Sequence, residues 1–484
     1  MHILPILGLT AAGLAISGCP GDEPSESATD SGTGSTSSPG TADDGTSTGP
    51  VATGDATGDT TAGPDTSGSE ESTDGTTGGP LECPYEEVQG TPPVVFELVG
   101  EGFDRPVHAV GHPTQPDRLF VVEQGGNVRI LEPGQMMAPA SAFLHVDVRG
   151  ANNTTIGAEY GLLGFAFHPG FPDDPRVYVD YNPPTGGGAM HTVVSEFTVD
   201  PANPDQVDPG SERVLLDLFQ PADNHDGGML MFGSDGYLYI GMGDGGGGGD
   251  TFDTGRNTGV LLSKILRIDV EPDGNDDDPL SCEGCPQYGP FDYTIPADNP
   301  FVGDPAFAPE IYTWGVRNPW RFARDPETDL IYVGDVGQGE WEEVSIISSG
   351  ADLGWSTMEG FHCFNGPCDT TAGPNQVNAD GMTMPLIDYG HTGQRCSVTG
   401  LSVYRSCQVP GWDGVYFYAD YCTSEVFALS WDGANVTDLG EVFSFNERII
   451  GNGWNAYGDV LVTTVEAVFG MPIVDGRVYR IAPG

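Results

Sequence analysis

Basic residues are scarce in this chain. Lysine and arginine together number 17 of 484 residues, against 71 aspartates and glutamates, for a formal net charge of −54. Such a chain has no basic face for a phosphate backbone or an anionic headgroup, which excludes nucleic acid and an electrostatically bound membrane as partners. Small neutral ligands and Ca²⁺ remain. Long apolar runs are also missing: after the first 19 residues, no segment reaches the roughly 20 apolar residues a membrane span needs. Past Cys83 helical periodicity is almost absent, which excludes a helical bundle. Between Pro20 and Glu82 there is no aromatic residue, no lysine and no arginine. Ser, Thr, Gly, Asp and Pro dominate there, too polar to offset the entropy of ordering, so residues 20–82 are expected to be a disordered linker.

What is present begins with MHILPILGLTAAGLAISGC, an apolar run closing on small residues. It reads as an export signal, and its ISGC ending matches a lipoprotein signal with Cys19 as the lipidation site, although the run carries only His2 ahead of its apolar part. An ordinary cleaved signal is the alternative. The expected organisation is a signal over 1–19, the linker over 20–82 and one folded domain over 83–484, exported to a bacterial cell envelope and touching membrane only through a lipid anchor. Eight further cysteines, an even set, suggest disulfides in an exported protein. Cys282 and Cys285 form a CxxC; with no second CxxC and no nearby His, a local disulfide is the expectation rather than half a zinc site. The other pairings stay open.

The folded part repeats one unit, a turn followed by alternating β-branched and aromatic residues. Copies begin at Pro116 (PDRLFVVEQGGNVRIL), Asp174 (DPRVYVDYN), Ser234 (SDGYLYIGMGDG), Thr328 (TDLIYVGDVGQGEWEEVSII), Asp413 (DGVYFYADYCTSEVFALSW) and Tyr457 (YGDVLVTT). Recurrent sheet units of this kind predict an all-β fold, a six-bladed β-propeller, with GRVYRIAPG closing the ring against VVFELVG. A pair of packed β-sandwiches is the alternative. Residues 271–309, with the acidic DGNDDD, read as an inserted loop. Those acids could hold Ca²⁺, but they lack EF-hand spacing and read better as solvated.

In DNHDGGMLMFGSDGYLYIGMGDGG a hairpin turning at Ser234–Gly236 brings His225 and Asp244 to one edge of a sheet unit. A carboxylate on one imidazole nitrogen fixes the tautomer and raises basicity at the other, as a general base requires. The same pair could equally be a structural bridge between strands. His168 reads as a structural strand-end residue, whereas His362 and His391 lie in later loops where either could line a pocket.

Six motifs in order, EYGLLGFAFHPGF, NHDGGMLMFGSDGYLYIGMGDGG, KILRIDV, IPADNPF, WGVRNPWRFARD and VGDVGQGEWEEV, resemble the glucose/sorbosone dehydrogenase family over residues 95–482. The resemblance implies a propeller binding pyrroloquinoline quinone (PQQ) on Ca²⁺ and oxidising a sugar at C1. It gives His225 the role of base and Asp244 that of its orienter. Arg317 and Asn318 would face the reactive quinone oxygen, Arg448 a cofactor carboxylate, and Glu159, where the family has glutamine, a sugar hydroxyl. The main-chain carbonyls of Gly337 and Gln338 would ligate Ca²⁺, so that the side chain at 338 matters little. Two family cations are absent: Cys422 or a neighbour stands in for a lysine, and Ile450 for an arginine. Arg395 and Arg405 are candidates to compensate.

The first functional reading is therefore a PQQ- and Ca²⁺-dependent sugar dehydrogenase passing electrons to an external acceptor. The second is a non-catalytic extracellular propeller binding carbohydrate or protein, as some members of the resembled family do; the missing cations favour it. A metal-dependent lactonase-type hydrolase is a weaker third, for want of a clear set of acids and Asn converging on Ca²⁺.

Overall fold

The computed structural model describes residues 82–151, 157–186, 188–271, 293–466 and 475–484. The signal, Cys19, the linker through Leu81, the Cys282–Cys285 pair and the DGNDDD run lie outside the described residues.

Each repeated unit forms strands where alternation places it. The copy at Pro116 gives Leu119–Glu123 and Asn127–Leu131, that at Asp174 gives Arg176–Tyr181, and that at Ser234 gives Leu238–Met242. The later copies give Ile331–Asp335 with Trp341–Ile347, Tyr416–Asp420 with Glu425–Trp431, and Val460–Val465. The copies at Asp174, Ser234, Thr328 and Asp413 belong to antiparallel four-stranded sheets spanning residues 162–220, 230–314, 319–390 and 398–444. A further eight-stranded sheet consists of two four-stranded halves joined where Pro106–Gly111 runs parallel to Arg448–Trp454. In that sheet Val94–Phe103 pairs with Gly476–Pro483, so the first and last strands close on each other, as expected from VVFELVG and GRVYRIAPG. The architecture is all-β and propeller-like.

The leading strand of each four-stranded unit is short and buried, and these strands carry the site. Their faces meet closely. A Cβ built on Gly164 would lie 2.2 Å from the Gly228 carbonyl oxygen of the next sheet, so only glycine permits that approach. Apolar clusters fill the spaces between sheets. Phe120, Phe143, Phe165 and Phe167, for example, pack edge-to-face with Val122, Val128 and Val179.

Three disulfides occur among the described residues: Cys83–Cys407, Cys363–Cys368 and Cys396–Cys422. The last joins the chain before strand Val398–Val403 to the turn before strand Glu425–Trp431.

Candidate functional site

The leading strands begin at one end of the molecule, and the residues just before them form a mouth. The predicted hairpin is present: Leu230–Phe232 pairs with Leu238–Met242, and the turn closes through Gly236 N–H on the Gly233 carbonyl. His225 precedes its first strand and Asp244 follows its second. His225 Nδ1 lies 2.7 Å from Asp244 Oδ1, with both side chains buried.

Both ends of the pair are held. Asp244 Oδ1 also accepts from Gly246 N–H at 2.9 Å, and Oδ2 accepts from the Trp355 indole at 3.0 Å. The carboxylate is thereby committed to orienting the ring. Arg317 Nη2 lies 3.0 Å from His225 Nε2. A guanidinium can only donate, so Nε2 carries the lone pair and Nδ1–H points at Asp244. That is the tautomer a base acting through Nε2 requires. His225 itself has φ of 58°, a left-handed backbone uncommon outside glycine. Glu159 Oε2 holds it there, accepting His225 N–H at 2.6 Å and Asn318 Nδ2 at 3.0 Å. Glu159 is thus an anchor for the base as well as a mouth residue.

Arg317 and Asn318 are positioned by Asp335, whose carboxylate accepts both of their backbone N–H groups. Burial pushes the Asp335 carboxyl upward, and these N–H groups oppose that shift. Arg317 also donates to the Val336 carbonyl at 3.0 Å and to Gln338 Oε1 at 3.4 Å. Gln338 Oε1 accepts Gly249 N–H at 2.6 Å as well, fastening the glycine run to the mouth. The Gln338 side chain is therefore engaged, contrary to the expectation that it matters little. Gly337 is confined too: a Cβ there would fall 1.6 Å from the Trp341 carbonyl oxygen. Among the described residues the carbonyls of Gly337 and Gln338 accept no hydrogen bond, which leaves them free for a hard cation.

The cleft, about 760 Å³ counting the open solvent at its rim, is lined by His225, Glu159, Asn318, Trp320, Tyr421 and Ile450, among others. Its walls are largely apolar. The Trp320 indole is pinned by its N–H on the Ile450 carbonyl, 2.9 Å away. Arg448 sits beside Tyr421, donating to its carbonyl at 3.2 Å with the guanidinium 4.9 Å from the ring centre. Cys422, one of the residues standing where the family resemblance implies a lysine, is bound in the Cys396–Cys422 disulfide, and Ile450, at the position where the resemblance implies a second arginine, lines the wall.

The expected compensating cations fail on geometry. Arg395 is paired with Glu425, and Arg405 with Asp325, Glu327 and Asp413 at the far ends of the leading strands. A further cation lining the mouth is Arg105, buried and also left-handed at φ 50°, with Nε on Asp104 Oδ1 at 3.2 Å and Nη2 on the Ala151 carbonyl at 3.4 Å. Sequence reading missed it, as it missed Trp355 and Trp320. His362 stacks on Trp341 with centroids 3.8 Å apart, and His391 binds Glu342 at 2.6 Å; neither lines the cleft. His168 accepts Gly170 N–H through Nδ1 and lies in a cluster with Asp174, Arg176 and Glu271 away from the cleft.

Fold and site together define a propeller-like β protein with an oriented His–Asp pair, an arginine on the free imidazole nitrogen and a cleft sized for a small organic molecule. The Glucose / Sorbosone dehydrogenase family model matches residues 104–285 and 291–465, and the chain belongs to that family. It is 30% identical to the HIPL1 protein of Arabidopsis thaliana over 390 residues, 69% of this chain and 53% of that protein. It is 33% identical to the human Hedgehog-interacting protein over 236 residues, 48% of this chain and 31% of that one. The chain thus spans about half the length of the first of these relatives and a third of the second. The soluble aldose sugar dehydrogenase of Escherichia coli, solved in its apo form, superposes with a TM-score of 0.61 at 21% identity, covering 81% of this chain and all of that one. The PQQ-bound aldose sugar dehydrogenase of Streptomyces coelicolor superposes with a TM-score of 0.56 at 18% identity, with the same coverage.

Proposed function

We propose that this chain is a quinoprotein dehydrogenase that oxidises an aldose or sugar-like alcohol at C1, outside the cytoplasm, on a six-bladed propeller carried by a lipid-anchored linker. The observation that carries the reading is the Asp244–His225–Arg317 chain, with the Nε2 lone pair of a fixed tautomer presented at a cleft. The cleft residues suit a planar polyanion: apolar walls from Trp320, Tyr421 and Ile450, with arginines at 105, 317 and 448 around them. PQQ, when bound, supplies a two-electron acceptor for hydride. Arg105 and Arg448 would take its carboxylates, Arg317 and Asn318 its reactive oxygen, and the carbonyls of Gly337 and Gln338 its Ca²⁺.

The chain's own part is proton transfer and positioning. As the C1 hydroxyl reaches His225, Arg317 gives up Nε2 and swings its donors towards oxygen. Nε2 takes the hydroxyl proton while the C1 hydride leaves with its electron pair. Asp244 stabilises the imidazolium that forms. The Glu159 carboxylate, already holding the His225 backbone, orients a neighbouring sugar hydroxyl.

A second reading, a non-catalytic binding propeller, is favoured by Ile450 and the Cys396–Cys422 disulfide standing where cations are expected, and by the likeness to the Hedgehog-interacting protein. Titrating the purified protein with PQQ and Ca²⁺, then following dye reduction over a panel of aldoses, separates the two. Saturable PQQ binding with sugar-dependent reduction supports the dehydrogenase; no PQQ binding at any Ca²⁺ concentration overturns it.

A further inference from the structure

The glycine run 245–249 leaves Asp244, the orienter of the base, and ends at Asp250. Glycines lose more freedom on ordering than other residues, so such a run keeps one shape only where its ends and its N–H groups are held. The ends are held. Asp244 is bound to His225 and Trp355, and the Asp250 carboxylate accepts Ser356 Oγ at 2.7 Å and Thr254 N–H at 2.8 Å. Between them Gly247, Gly248 and Gly249 are exposed. Two side chains from other segments pin this stretch. Asn224 Oδ1 accepts Gly247 N–H at 3.2 Å, and Gln338 Oε1 accepts Gly249 N–H at the closer 2.6 Å.

The same Gln338 oxygen takes Arg317 Nε–H, at a longer 3.4 Å. Both of its partners are donors, which fixes the amide's orientation: Oε1 lies between them and the NH₂ group points away. Arg317 has five N–H groups. One goes to Gln338, one to the Val336 carbonyl and one to His225 Nε2. Among the described residues, one N–H on each terminal nitrogen is left for an incoming oxygen. A long side chain gives up much rotamer freedom to hold such a pose. Val336 and Gln338, from one short loop after strand Ile331–Asp335, hold it in advance. Gln338 thus reaches both ends of the Asp244–His225–Arg317 chain. It touches the guanidinium directly, and the segment behind Asp244 through Gly249.

We propose that the Gln338 side chain is a positioning residue, a latch that fixes Arg317 and the glycine run behind Asp244 in one register before substrate arrives. This role is separate from that of the Gln338 main-chain carbonyl, which a side-chain substitution leaves in place. The inference deepens the dehydrogenase reading and rests on it for its effect on turnover; the latch itself belongs to the cofactor-free chain.

The first readout is hydrogen exchange in the full chain without PQQ, followed by heteronuclear NMR. Gly249 N–H is exposed and bonded, among the described residues, to Gln338 alone, so it should be protected in the wild type. Gln338→Met keeps the length and removes the acceptor, and should speed exchange there at least about tenfold. Gln338→Glu keeps an acceptor oxygen and should exchange as the wild type does. Arg317 Nε–H should follow the same order. The second readout is dye-linked turnover of aldose by the PQQ- and Ca²⁺-loaded protein. Gln338→Met should lower kcat by about fivefold with KM unchanged, and Gln338→Glu should recover most of that loss. An unprotected Gly249 amide in the wild type, or wild-type exchange in Gln338→Met, overturns the latch without any substrate. Faster exchange with wild-type turnover makes Gln338 structural only and overturns the positioning role. If Gln338→Met does not fold, the wild-type Gly249 amide decides alone. If the wild type binds no PQQ, the dehydrogenase reading and the positioning role fall together, and the exchange rates still decide the latch.

Discussion

At the scale of single residues the chemistry rests on which imidazole nitrogen is free. Asp244 holds Nδ1 and has its other oxygen on Trp355, so replacing the base and replacing its orienter should differ in kind. His225→Asn is expected to leave PQQ affinity nearly unchanged and to lower turnover by about 10²–10⁴-fold, the usual share of a general base. Asp244→Asn should cost less, because the base survives with a disturbed tautomer. Stopped-flow reduction of bound cofactor measures both; a His225→Asn variant as active as the parent would remove the base from the mechanism while leaving the family assignment intact. Trp355→Phe removes one hydrogen bond to Asp244 while keeping the ring under Arg317, whose guanidinium lies 5.5 Å from it. Its expected signature is a turnover loss of about threefold to tenfold with unchanged KM, less than the full worth of a charge-assisted hydrogen bond because it acts only through the base.

At the scale of elements, the strand Lys264–Ile268 underlies the loop that carries Asp244. Lys264 is the chain's single lysine and is fully buried, its ammonium donating to the Thr254 and Leu262 carbonyls at 2.9 and 2.8 Å. Burial lowers its pKa from 10.5 to about 7. The unfolded chain therefore holds this proton over a pH range in which the folded chain has released it. Stability from this group is lowest below pH 7 and rises as pH climbs from about 7 towards 10.5. Urea denaturation of wild type and Lys264→Met should accordingly show wild type gaining on the variant between pH 7 and 9.5; a constant difference would mean the amine stays charged in the fold. The strands, their turns and the His225–Asp244 hairpin were legible in sequence because each is local: alternation, a turn and a short return. What joins elements was not. Trp355 reaches Asp244 across 111 residues, and Arg105 arrives at the mouth from just before strand Pro106–Gly111, far along the chain from the base. Arg405 was misplaced for the same reason, since nothing local says that Asp325, 80 residues away, holds it at the opposite end of its strand. Gln338 was misjudged because its partners, Gly249 and Arg317, come from other loops.

At the scale of the whole molecule, stability depends on how the ring is closed. Val94–Phe103 is the outer strand of the last sheet half, paired along its length with Gly476–Pro483, and the Cys83–Cys407 bridge spans 324 residues around the same seam. A cross-link over so long a loop restricts the unfolded chain strongly, and the strand covers an edge that would otherwise be open to other chains. Two truncations separate this seam from the segment before it. A chain beginning at Glu82 should melt at the same temperature as the full-length protein, because residues 20–82 are proposed to contribute no packing. A chain beginning at Pro106 loses the strand, the bridge and the Phe96 contacts with Phe443, Phe445 and Tyr479. It should melt at least about 10 °C lower and aggregate through the exposed strand Gly476–Pro483. Scanning calorimetry with light scattering reads both. Equal melting of all three chains would show that the ring holds without its seam, and a drop already at Glu82 would mean that the segment before it packs on the fold.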